Sequence, residues 1–242
     1  MSKTIFITGT NTGVGKTVVT SALLRLAHRH GARCVGLKPV ASGACRPTPA
    51  APLRNADALE LQAAGSVSIP YETVNPYCFE PAIAPHLAAR ESGVSLPLPE
   101  LVAWSRRASA GADCVLIEGA GGWRVPLHPA GFLSDLPETL GLDVVLVVGL
   151  TLGCLNHARL TAEAIWRGGR SPLAGWVANT VDPGFERIDD NVAALCDLLG
   201  SEPLARVPDL RTAPKSPFGH PLHEFAADPQ LLAALGLDDR PG

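Results

Sequence analysis

Nine residues near the N-terminus, Gly9-Thr-Asn-Thr-Gly-Val-Gly-Lys-Thr17, have the composition of a loop that holds phosphate. They follow a short apolar run, Thr4–Thr8, and lead into apolar residues at helical spacing, the strand–loop–helix context such a loop requires. Glycine lets backbone N–H groups turn toward one point, and a helix starting there adds positive potential. Gly13, Val14, Gly15 and Val18 would lend backbone to the phosphates, Lys16 would reach the β- and γ-phosphates, and the Thr17 hydroxyl would join a Mg2+ shell. The common G-x(4)-G-K-[ST] spacing is not met strictly, because Gly9 leaves five residues before Gly15. Context outweighs that departure, and a nucleoside triphosphate is the expected ligand.

A bound Mg2+ needs further oxygen ligands, usually carboxylates. Glu118 ends the apolar run CVLIE and precedes Gly119-Ala120-Gly121. That places it at the C-terminal end of a parallel strand, where α/β folds bind ligands. Asp57, in RNADAL, is the second candidate, against the plainer reading of a first-turn acid favoured by the helix dipole. Lys38 interrupts the apolar run CVGLKPV just before a proline, so its ammonium is expected to enter the same crevice as Lys16. Two ammonium groups at one site suit an anionic substrate or a transferring phosphoryl group, and the alternative is a lysine snorkelling to the surface. Ser42, in the same loop, could hydrogen-bond a polar ligand. In GWVANTVD, Asn179 and Asp182 are reminiscent of the guanine-reading N-K-x-D motif with Thr180 in place of its lysine. An amide both donates and accepts, so Asn179 is read as adenine-directed, and Asp-Pro-Gly as a turn.

These residues need a scaffold that gathers them. Strands are expected at Thr4–Thr8, Cys34–Pro39, Cys114–Glu118, Val144–Gly149, Gly175–Asn179 and Leu204–Val207. Between and after them lie helical patterns at 16–30, 55–64, 99–110, 156–168, 185–199 and 229–236. Runs apolar at consecutive positions suit parallel strands covered on both faces, and alternation with helices means right-handed crossovers. The expected fold is α/β: a single domain over 1–242 with a doubly wound, mostly parallel sheet, helices on both faces, and a P-loop NTPase-like core over about 3–210. The proline-rich stretches 43–54 and 208–223 read as loops, the first as a mobile one.

Composition removes several alternatives. Among 242 residues, 20 Lys and Arg against 23 Asp and Glu give a net charge of −3, and aromatics are only 5%. Neither a phosphate-neutralising excess nor a base-stacking platform is present, so nucleic acid is not an expected partner. The N-terminus lacks the apolar stretch of a signal peptide, and VVLVVGL at 144–150 is too short to span a bilayer, so no membrane partner is expected and a cytoplasmic location is. Six scattered cysteines with no C-x-x-C predict neither a disulfide framework nor a structural zinc.

Taken together, the chain resembles the dethiobiotin synthetase family through GTNTGVGKT (9–17), GLKPVASG (36–43), LRNADAL (53–59), TVNPYCFEPAIAPH (73–86), EGAGGW (118–123), LGCLNHA (152–158) and AGWVAN (174–179). The resemblance implies carboxylation and ring closure of 7,8-diaminopelargonic acid with CO2 or bicarbonate, driven by ATP with Mg2+. It implies that Lys38 is the active-site lysine, with Lys16, that Thr12 lies near a carbamate and that Ser42 contacts substrate. Thr17, Asp57 and Glu118 would be Mg2+ ligands, direct or through water, and Asn179, Thr180 and Pro208-Asp209-Leu210 would face the adenine. It further implies a homodimer in which backbone N–H groups around Gly153, Cys154, Leu155 and Asn156 hold the substrate carboxylate of the facing subunit. Some members carry Glu where Gly13 stands, and a substrate-holding tyrosine of some is read as replaced by Asn191. From Arg211 onward the likeness is poor. A partitioning or cell-division ATPase switch is the competing reading, but Lys3 precedes the strand rather than lying in the loop, and the tail DPQLLAALGLDDRPG is acidic rather than membrane-seeking.

Overall fold

The structure is a computed structural model and describes residues 2–128, 131–209 and 229–237. Its first half runs β1 (Lys3–Gly9), α1 (Lys16–Arg29), β2 (Cys34–Leu37), β3 (Val40–Ala41), α2 (Ala56–Ala64), α3 (Tyr71–Val74), β4 (Tyr77–Cys78), α4 (Pro85–Glu91) and α5 (Leu98–Ala108). Its second half runs β5 (Cys114–Glu118), β6 (Pro126–His128), β7 (Gly131–Phe132), α6 (Asp135–Leu140), β8 (Asp143–Leu150), α7 (Cys154–Gly168), β9 (Leu173–Thr180), α8 (Ile188–Leu199), β10 (Ala205–Val207) and α9 (Pro229–Ala234). Six strands form one sheet in the order β10-β9-β8-β1-β5-β2, every pairing parallel. Parallel strands need long crossovers, and α1, between β1 and β2, α7 and α8 supply three of them.

The strands are apolar because both faces are covered. Along β1, Ile5 and Ile7 face a cluster with Leu23 and Leu26 of α1, while Phe6 faces the opposite cluster with Trp104 and Ile117. That alternation is the period-two geometry of a strand. In β8 every residue from Val144 to Leu150 is buried, as a strand between two helical layers requires. Leu231, Leu235 and Leu237, in and just after α9, join the cluster that holds Ile5 and Val207, so the core reaches beyond the expected 3–210.

All six expected strands lie in the sheet, with ends moved by one or two residues, and all six expected helices form. Helix α8 begins at Ile188 rather than 185. Asp182 holds the Gly184 N–H at 2.9 Å through its side chain, and Arg187 takes φ 57°, so the chain turns before it can coil. The helices α3, α4 and α6 and the strands β3, β4, β6 and β7 were not expected; each is too short to show a period. The loop 43–54 is pinned at its base, where Cys45 and Arg54 exchange two backbone hydrogen bonds of 3.0 and 2.9 Å. Among the described residues, no helix is long and apolar enough to cross a membrane.

Candidate active site

The chain leaves β1 at Gly9 and re-enters regular structure at Lys16, with Gly15 capping α1 in the left-handed conformation (φ 85°). No side chain caps this helix, so the first N–H groups of α1 remain available to an anion. A Cβ at Gly15 would fall 2.0 Å from Nδ2 of Asn179, whose amide donates to the Val14 carbonyl at 2.8 Å. Glycine is therefore needed at 15 both for its φ and for its missing side chain. Lys16 curls back over the loop, donating to the Asn11 carbonyl at 3.0 Å.

Sheet register delivers the other groups. Ile7 of β1 pairs with Glu118 of β5, and Leu37 of β2 pairs with Ile117, so Lys38 and Glu118 emerge beside the phosphate loop on adjacent strands. Glu118 is fully buried and Lys38 is 4% exposed. The Lys38 ammonium forms a close ion pair with Glu118 and a second, of 3.1 Å, with Asp57 on the first turn of α2. Thr17 donates to the same Glu118 oxygen at 3.0 Å.

The two lysines differ in how well their charge is compensated. Burial pushes the Lys16 ammonium down to about 8, with Glu118 and Asp57 opposing that fall and Lys38 adding to it. Burial also works against Lys38, but Glu118 and Asp57 in direct contact outweigh it and hold its pKa above the ordinary value. Lys38 is a fixed cation, whereas Lys16 is a cation awaiting an anion. Thr17, Asp57 and Glu118 also suit a magnesium ion. They offer hard oxygens to one point, the second Glu118 oxygen is buried with no partner, and an ammonium already stands against both carboxylates.

These groups open onto a cavity of about 820 Å3. Its floor includes Thr12, Gly13, Gly15, Lys16, Thr17 and Val18, and its walls include Lys38, Ser42, Asp57, Glu118, Ala120 and Gly121. The Ser42 hydroxyl is buried without a partner. Val14 and Gly119 lie behind this wall: Val14 is buried against β8, and the Gly119 N–H is held by the Ile7 carbonyl. Asn179 and Thr180 lie at the end of β9, outside the cavity lining, and Val207 of β10 pairs with Asn179. Pro208 and Asp209 leave β10 at that same end, while Leu210 lies outside the described residues. Gly153, Cys154, Leu155 and Asn156 form the start of α7, away from the cavity, next to Leu152 at 92% exposure. Asn191 donates to the Arg187 carbonyl at 2.9 Å.

Sequence reasoning missed the apolar wall, where Ala82, Ile83, Pro85, Val125 and Pro126 line the cavity, and also Glu60. The usable signal was proximity to motif blocks rather than any periodicity.

A family model described as an AAA domain matches residues 3–215. The ATP-dependent dethiobiotin synthetase BioD of Pseudomonas aeruginosa strain UCBPP-PA14 is 54% identical over 209 residues, covering 86% of this chain and 90% of the relative. The protein of the same description from Chromohalobacter salexigens is 50% identical over 235 residues, 93% of this chain and 98% of its own length. Among solved structures, the septum site-determining protein MinD from Pyrococcus horikoshii, complexed with Mg-ADP, aligns with a TM-score of 0.56 at 17% identity, covering 87% and 84% of the two chains. A ParA family ATPase from Chlorobium tepidum gives 0.51 at 13%, over 98% and 90%. At such identities these last two likenesses speak for the P-loop NTPase-like α/β fold alone.

Proposed function

The chain belongs to the ATP-dependent dethiobiotin synthetase family, and from that premise we propose that its chemistry takes place in the cavity around Lys38. The enzyme is an ATP-dependent ligase of biotin biosynthesis that forms dethiobiotin. Its substrates are 7,8-diaminopelargonic acid and CO2, with ATP converted to ADP and phosphate. One amine takes up CO2 as a carbamate and loses a proton. A carbamate oxygen attacks the γ-phosphorus and ADP leaves; the second amine then attacks the carbonyl carbon of the carbamic-phosphoric anhydride, closing the ureido ring, expelling phosphate and giving up one proton with it.

One observation carries the assignment of residues: a buried lysine, Lys38, facing a cavity that already holds Lys16 and the phosphate loop. Carbamate and triphosphate repel one another, and bringing them into contact calls for cations in a place poor in water. Lys38 and Lys16 are positioned to supply them, so these residues work by orienting and neutralising rather than by covalent catalysis. Thr12 and Ser42 would contact the carbamate end, and the wall from Ala82 to Pro85 is apolar enough for the alkyl chain. Thr17, Asp57 and Glu118 would hold Mg2+, which when bound supplies further charge neutralisation at the phosphates. The end of β9 with Pro208 and Asp209 is the adenine side, reached around Asn179. A homodimer completes the site, with the α7 start of one subunit, Gly153–Asn156, offering backbone N–H groups to the substrate carboxylate bound in the other. The exposed Leu152, Leu160 and Trp166 on and beside α7 support that contact. The cytoplasm is the location we propose for the reaction.

The decisive experiment is Lys38→Arg, assayed for dethiobiotin and phosphate with diamine and bicarbonate supplied or omitted. Arginine keeps a charge for Glu118 and Asp57 but replaces the compact ammonium with a planar fork. Wild type should release phosphate only with both substrates present. Lys38→Arg should fold normally and lose turnover by at least about a hundredfold; turnover within tenfold of wild type would refute the role of Lys38.

A further inference from the structure

Both backbone polar groups of Lys38 are held by one short segment. Its N–H donates to the Val74 carbonyl at 2.8 Å, and its carbonyl accepts from Nδ2 of Asn75 at 2.7 Å. Asn75 is 3% exposed and its amide is fully engaged, with Nδ2 also donating to the Tyr77 carbonyl at 3.1 Å and Oδ1 accepting from the Tyr71 hydroxyl at 3.0 Å. The same Tyr71 oxygen accepts the backbone N–H of Asn55 at 2.8 Å. Asn55 caps α2, accepting the Ala58 N–H at 3.2 Å, one turn of helix that carries Asp57. Its Nδ2 donates to the Ser42 carbonyl at 3.3 Å. A single phenol oxygen therefore ties the exit of β2 to the start of α2, with the Ser42 loop attached.

We propose that the Tyr71 hydroxyl, acting through Asn75 and Asn55, is a positioning group for ring closure, fixing the Lys38 loop against the Asp57 helix so that ammonium and carboxylate meet across the cavity. The proposal rests on the reading of this cavity as the reaction site. Hydrophobic packing alone would leave the two segments free to slide, whereas three directional bonds through buried atoms do not. The Arg54 guanidinium lies 4.1 Å from the Tyr71 ring centroid, so a phenylalanine would keep its seat. Burial raises the Tyr71 hydroxyl above its ordinary pKa, which keeps it protonated and able to donate to Asn75. Loss of that oxygen would strand the Asn55 N–H and Asn75 Oδ1, two buried groups that must then move to find partners. Displacements near 1 Å at a reacting site cost rates of about a hundredfold. The phosphate loop takes no part in this network, so nucleotide binding should be spared.

The test compares Tyr71→Phe with Trp104→Phe, well below the melting temperature of either. Trp104 donates its indole N–H to the Thr73 carbonyl at 2.9 Å, so its loss loosens the same segment without touching Lys38 or α2. Tyr71→Phe should lower kcat about tenfold, equivalent to about 1.4 kcal/mol of barrier, with KM for ATP within twofold of wild type. Trp104→Phe should keep kcat within twofold even at an equal loss of Tm. Wild-type kcat in Tyr71→Phe, or equal losses in both variants, overturns the proposal. Asn55→Ser keeps a capping oxygen but drops the amide that holds Ser42, and should lower kcat several-fold; an unchanged kcat counts against the network. Lys38→Arg separates the two levels. If Lys38→Arg is inactive and Tyr71→Phe normal, the positioning role alone falls; if Lys38→Arg turns over normally, the site and the positioning role fall together.

Discussion

Lys16 and Lys38 show how differently two ammonium groups of one cavity can be compensated. Lys38 sits between two carboxylates, while Lys16 has a backbone carbonyl as its hydrogen-bond partner. A depressed folded pKa has a defined sign. The unfolded chain keeps the Lys16 proton up to about 10.5 and the folded, ligand-free protein up to about 8. Between those values the unfolded state binds more protons, so the penalty that burying this ammonium places on folding is relieved as pH rises through the window. A triphosphate reverses the balance by favouring the ammonium. At pH 9 nucleotide binding should therefore take up close to one proton, and at pH 7 almost none at this residue. Calorimetry in two buffers of different ionisation enthalpy reads the difference, and identical heats at pH 9 would count against Lys16 as the phosphate contact.

At the scale of elements, the phosphate loop depends on a side chain from the far end of β9. Asn179 props the Val14 carbonyl from behind and fills the space a Cβ at Gly15 would need. Gly15→Ala thus meets two obstacles, a left-handed φ and a contact of 2.0 Å. It should cost about 1–3 kcal/mol in urea unfolding and weaken ATP binding together, and a variant with wild-type stability would contradict this account. The loop's chemistry was readable because Gly, Lys and Thr have few other reasons to follow a strand in that order. Glu118 and Lys38 were readable for a related reason: a charge that ends an apolar run has to be compensated where the strand stops, whereas Asp57, in the first turn of α2, stood out only as a second carboxylate near the loop. Tyr71, Asn75 and Asn55 were not. Their work is done through backbone carbonyls as many as 37 residues away, as between Asn75 and Lys38, and no spacing along the chain encodes that contact. Likewise α3, α4 and α6 span only 4–7 residues each, too few for a 3.6-residue period to declare itself.

For the whole molecule, the sheet order brings the exits of β1, β5 and β2 to one rim, and the exits of β9 and β10 to the other side of the phosphate loop. On the reading proposed above, one α/β frame would thereby offer both a reaction pocket and a nucleotide-base side. Helix α7 contributes no residue to the lining of that pocket, and Leu152 is exposed beside its uncapped start, with Leu160 and Trp166 exposed along it. If a second copy covers them, Leu152→Glu should yield a monomer by analytical ultracentrifugation, with kcat/KM for the diamine down at least about tenfold and ATP affinity retained. A dimer of unchanged stability would exclude this face as the interface.

The short closing helix α9 has a consequence for anyone handling the protein. The match to the family model ends at residue 215, yet Leu231, Leu235 and Leu237 are each about 1% exposed. Its leucines act as a stopper in a socket floored by β1 and β10. Clipping the polypeptide ahead of Pro229 would uncork that socket, at about 2–5 kcal/mol for each leucine lost, and would present greasy surface to other molecules. An affinity tag grafted past Leu237 spares the stopper; one replacing it invites precipitation.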